Sequence, residues 1–93
     1  MFADLYPGTH NNVNIPGLAA YRIVHGLLYP TVHNRRHLPG VPAYYLRRGC
    51  FYPATGNNKS LAGLPSYVLR GHLVHPTGHS HLHPFGEPAY ELQ

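Results

Sequence analysis

Residues 21–30 read YRIVHGLLYP, and the way this stretch is read decides the fold. Aromatic and branched aliphatic residues dominate it, and no proline interrupts it before the last position, which is the composition of a β-strand. The pattern returns as YYLRRGCFYP at 44–53 and as YVLRGHLVHP at 67–76. Read as one continuous strand, alternation puts Tyr21, Ile23, Leu27 and Tyr29 on one face and Leu28 on the other. Gly26 and Gly49 in mid-strand then predict a bulge or a close backbone approach. The closing proline lacks a ladder donor and holds φ near −65°, so pairing should stop at the same place each time.

Working outward, cuts after residues 23, 46 and 69 divide the chain into units 1–23, 24–46, 47–69 and 70–92, which align without a gap and leave Gln93 over. Three columns are invariant: Pro7, Pro30, Pro53 and Pro76; Gly17, Gly40, Gly63 and Gly86; Tyr21, Tyr44, Tyr67 and Tyr90. Two more vary only in size, the apolar Leu5, Leu28, Phe51 and Val74 and the aliphatic Ile23, Leu46, Leu69 and Leu92. Between strands lie Asn-rich segments such as GTHNN and ATGNN, whose amide side chains bond their own backbone in turns, and then the invariant glycine, which is expected at positive φ. Helix is not expected beyond a single turn.

A unit of 23 residues cannot bury its own apolar face, so neighbouring units must supply the core. The expected fold is all-β with irregular connections: a single domain, 1–93, of four tandem repeats. Each repeat is a strand plus a Pro/Gly-rich extended loop, and the repeats stack or pair as a small array. The cuts leave half a strand at each end, MFADLYP at 1–7 and PAYELQ at 88–93. These halves can meet within one chain or between copies. Completion between copies is the expectation here, because four short units make a small ring and neither end carries a polar capping repeat.

Composition bounds the function. The chain carries +4 with its nine histidines neutral, only 11% of residues are charged, and 43% are hydrophobic, including eight tyrosines. That is too apolar and aromatic for a disordered tail. No apolar run reaches the roughly 18 residues of a membrane span, and the first residues lack a signal-peptide pattern. The single Cys50 leaves no internal disulfide; it shares a column with Leu27 and Leu73 and reads as a buried core substitution.

The densest chemistry is HLVHPTGHSHLHP at 72–84, where His79, His81 and His83 alternate and would point the same way in an extended chain. Neutral imidazoles in that arrangement can bind zinc, copper or nickel. The repeat offers a competing account. His10, His33 and His79 share one column and His37 and His83 another, with Gly56 and Ser60 at the same positions of unit three, as expected of hydrogen-bonding loop residues. Arg22, Arg35, Arg36, Arg47, Arg48, Lys59 and Arg70 beside tyrosines suit nucleic-acid phosphates and bases, but seven dispersed charges are a weak footprint. Repeated Tyr and Asn could equally face a glycan.

Catalysis has no framework in the sequence. Asp4, Glu87 and Glu91 cluster at the two ends, and no nucleophile elbow, phosphate-binding glycine loop or zinc-protease motif occurs. The expected function is therefore non-enzymatic: a self-assembling structural repeat, homo-oligomeric or polymeric, forming a ring, tube or filament by strand complementation between repeats and between chains. Invariant Tyr, Pro and Gly are its core and assembly residues. The alternatives are a small repeat module binding glycan or nucleic acid and a histidine-metal protein.

Overall fold

The computed structural model describes residues 2–9, 11, 13–55, 57, 63–80, 83 and 86–93. It is all-β among these residues. The strands are β1 (Phe2–Pro7), β2 (Tyr21–Val24), β3 (Leu27–Pro30), β4 (Tyr44–Arg47), β5 (Cys50–Pro53), β6 (Tyr67–Arg70), β7 (Leu73–Pro76) and β8 (Tyr90–Leu92). Each pairs antiparallel with its sequence neighbour, and β8 pairs with β1, giving a closed barrel. Among the described residues no helix is long and apolar enough to cross a membrane.

The stretch 21–30 is two strands rather than one. Its centre is a two-residue turn in which His25 and Gly26 both have positive φ, 51° and 79°, and Arg48 and Gly49 repeat this at 51° and 78°. Two successive left-handed residues are the signature of a type I′ turn, whose twist matches that of the strands it joins. In the third hairpin glycine comes first, with Gly71 at 65°. The glycine predicted to bulge a strand therefore folds it back on itself. The facing changes with it: Tyr21 pairs with Pro30 and Ile23 with Leu28, and all four point inward, while Leu27 and Tyr29 turn out. A two-residue turn shifts the inside–outside phase between its flanks, which alternation along a single strand cannot do.

The half strands complete one another inside the chain. Leu5 pairs with Leu92, Tyr6 with Glu91 and Pro7 with Tyr90, the register that Leu28 and Ile23, Tyr29 and Arg22, and Pro30 and Tyr21 show in the first hairpin. The Asp4 and Gln93 backbones exchange two hydrogen bonds of 2.8 Å where the other hairpins have their turn. Expected completion between copies is thus corrected. Closure within the chain uses the same hydrogen bonds without the entropy cost of bringing two molecules together, and it leaves no open sheet edge.

An eight-stranded barrel is just wide enough for its own side chains. The interior holds Leu5, Ile23, Leu28, Phe51 and Val74, with Leu46, Leu69 and Leu92 packed against them, and above these the four invariant tyrosines, each 1–2% exposed. The loops are tied down by a second column. The Nδ2 amides of Asn11, Asn34 and Asn57 donate to the carbonyls of Ala89, Ala20 and Ala43, each at 2.9 Å. The Asn34 Oδ1 accepts from the backbone N–H groups of Arg36 and His37. The invariant glycines all have positive φ, from 82° at Gly17 to 126° at Gly86, with open space where a Cβ would sit, so backbone conformation rather than crowding requires glycine there.

Candidate functional site

Tyr21, Tyr44, Tyr67 and Tyr90 each open a strand at the loop end of the barrel, so the four rings converge on its axis. Each packs edge-to-face on the next, with centroid distances of 6.0, 5.6, 5.8 and 5.5 Å around a closed circuit. This is the arrangement the ring quadrupole favours, worth about 0.5–1.5 kcal/mol per pair beyond burial. Two of the hydroxyls reach the histidine sixteen positions on: Tyr21 meets His37 Nδ1 at 2.9 Å and Tyr67 meets His83 Nδ1 at 2.7 Å. Tyr90 donates to Asn14 Oδ1 at 2.8 Å, the same spacing carried across the chain closure. His37 packs against Tyr44 and His83 against Tyr90, so each imidazole bridges two tyrosines.

The electrostatics follow from burial. Desolvation, reinforced by the neighbouring tyrosines, pushes the Tyr21, Tyr67 and Tyr90 phenols well above their ordinary range, so they stay neutral. His83 is pushed down to about 4, first by burial and then by the nearby Arg36 guanidinium, and is neutral at physiological pH. The four tyrosines and His83 form a buried layer, each under 7% exposed, while His37 at its edge is half-buried.

Of the alternating histidines, His79 and His83 do not share an environment. His83 is buried on Tyr67, His79 is exposed with its backbone N–H bonded to Thr77 Oγ1, and His81 lies outside the described residues. Among the described residues no three His, Cys, Asp or Glu side chains group closely enough to hold a metal ion. His10, Gly56, Lys59 and Ser60 also lie outside the described residues. Cys50 differs from the sequence reading: like Leu27 and Leu73 it points outward and is half-buried, because the hairpin turn puts that column on the outer face.

The outer face carries a feature that column analysis did not single out. At three places a groove runs between a hairpin and the loop preceding it, and the three grooves are lined by the same columns. Asp4, Leu27 and Leu73 occupy one column, Arg22, Tyr45 and Glu91 the next, Leu18, Val41 and Glu87 a third, and Pro30, Pro53 and Pro7 a fourth. Shape repeats while charge does not. The first groove holds the Arg22–Asp4 pair at 2.9 Å between Nε and Oδ1, the second has no charged side chain in its lining among the described residues, and the last presents Glu87 and Glu91. The legible signal was that the first three of these columns, unlike the tyrosine and proline columns, mix charge with apolar character.

Exposed apolar side chains concentrate in the second loop, where Val32 is 79%, Leu38 84% and Val41 58% exposed, next to the exposed Arg35 and Arg36. On the neighbouring hairpin Arg47 and Arg48 are also exposed, and Tyr45 stacks on Tyr52 at 5.4 Å. Comparison with protein-family models, curated proteins and solved structures finds no match for this chain.

Proposed function

We propose that this chain is a non-enzymatic structural module that associates with copies of itself as whole closed barrels. The observation that carries the reading is the segregation of charge around the sheet. The β4–β5 hairpin lies two hairpins from the β8–β1 seam in either direction, so the two are opposite. Arg47 and Arg48 sit at the turn of the first and Arg35 and Arg36 in the loop that leads into its other end, while all three carboxylates, Asp4, Glu87 and Glu91, lie at or beside the seam, where Arg22 pairs with Asp4 and leaves the two glutamates as the acidic excess. A body with unlike patches on opposite sides favours a heterologous, head-to-tail contact, which extends into a filament or closes into a larger ring according to its rotation. Because β1 and β8 already satisfy one another, side chains rather than strand addition make that contact.

Sedimentation velocity across concentration at low salt tests the proposal. A weight-average mass that rises with concentration and falls again as salt is added is expected, since solvent-exposed charges are screened beyond about 8 Å at physiological ionic strength. A monomer at every concentration and salt level would overturn it. A second reading, a glycan-binding module, is favoured by the first groove, where Tyr6 and Tyr29 line the same cleft as the Arg22–Asp4 pair. Saturable quenching of tyrosine fluorescence by an oligosaccharide, lost in Tyr29→Ala, distinguishes it.

A further inference from the structure

Resting on the assembly reading, the structure assigns the two halves of the contact: we infer that the second loop, through Arg35, Arg36 and Leu38, docks into the acidic groove formed by Leu73, Glu87 and Glu91 of another copy of this chain. The loop combines two properties found together nowhere else among the described residues. Leu38 is 84% exposed, the most exposed large hydrophobic side chain among the described residues, and two exposed guanidiniums lie within three residues of it. A leucine held in water beside paired cations gains most from a site that is apolar at its base and anionic at its rim.

Three repeat-equivalent grooves offer themselves, and chemistry selects among them. In the first, Arg22 already neutralises Asp4. The second is lined by Leu27, Val41 and Tyr45, which suits leucine but gives nothing to the arginines. The acidic groove has half-buried Leu73 on its floor and encloses about 380 Å³. Gln93 Nε2 donates to Glu91 Oε1 at 2.6 Å, leaving the second carboxylate oxygen only a 3.9 Å approach from His72. A guanidinium can therefore bind there without displacing the hydrogen bond to Gln93. The loop belongs to unit two and the groove to unit four, so a copy can use both at once, and the contact propagates.

The columns also show that the test variants can fold. Arg22 occupies in the first unit the position of Glu91 in the fourth, so an arginine is already accommodated there. The decisive experiment is charge exchange on the full chain, read by sedimentation velocity with thermal melts as a folding control. R35E/R36E and E87R/E91R should each weaken association at least about ten-fold, because like charges then face one another. Mixed in equal amounts they should associate again, since each supplies the patch the other's partner needs. Leu38→Ser, at a side chain too exposed to affect folding, should weaken association without a change in melting temperature. Wild-type association that survives both charge exchanges would overturn this docking while leaving the assembly reading in place. A wild-type chain that never associates would overturn the assembly reading itself.

Discussion

Replacing His83 by asparagine should remove most of the acid sensitivity of this fold. The His83 imidazole is only 6% exposed, and burial together with Arg36 holds its pKa at about 4 against 6.5 for the free side chain. Between those values the unfolded chain binds a proton that the folded chain refuses, so stability falls as pH drops through the window and is fully present above it. At about 1.36 kcal/mol per pKa unit, the shift from 6.5 to about 4 amounts to about 3 kcal/mol in full, most of it lost by pH 4.5. For a domain of this size that is on the order of 10–20 °C in Tm. Asparagine is the right replacement because Asn14 holds the equivalent position and accepts the Tyr90 hydroxyl through Oδ1 at 2.8 Å. The assay is urea unfolding of wild type and H83N from pH 7 to 4.5, followed by circular dichroism. Taking the difference between the two cancels the carboxylates and the other histidines, which both chains share. A wild-type-minus-variant difference that stays flat across that range would refute the assignment of a buried neutral imidazole.

Removing only the hydroxyl with Tyr67→Phe leaves His83 Nδ1 without its hydrogen-bond partner and should cost about 1–2 kcal/mol, whereas Tyr67→Ala opens the aromatic circuit and should cost about 3–5 kcal/mol; equal losses in chemical denaturation would contradict the hydrogen bond. Arg48 stands at φ 51° in its turn, so Arg48→Asn should stabilise by about 0.5–1 kcal/mol in the same assay, asparagine tolerating that conformation better. Opening the chain between Arg48 and Gly49 and joining Gln93 to Asp4 through Asn-Gly should give a permutant with the wild-type circular dichroism spectrum, because it replaces the seam with the turn its equivalents have; a permutant that fails to fold would show that the seam differs from the other hairpins.

Much of this architecture was legible in one dimension. A 23-residue recurrence of Tyr, Pro and Gly dictates that the units solve the same local problem in the same way, since a side chain too large for the surface and a backbone that only glycine adopts leave few solutions. Column reasoning also favoured hydrogen bonding for His37 and His83, and the Tyr21 and Tyr67 hydroxyls are their partners. What it missed turns on a single dihedral. Whether Gly26 kinks a strand or reverses it depends on φ at His25 as well, a non-glycine residue at 51°, and propensity does not predict a left-handed histidine. That reversal sent Leu27 and Cys50 outward and Leu28 inward.

The sequence by itself determined the unit: which residues are extended, where pairing stops, and which rings must be buried. Only the tertiary structure decided that four hairpins are enough to close, that the last strand lies against the first, and that the outer columns become grooves of one shape and different charge. The physical reason is that a repeat specifies its contact with a neighbour, whereas the number of neighbours needed to come full circle depends on the angle between them, which twist and side-chain volume set only once the barrel interior is filled.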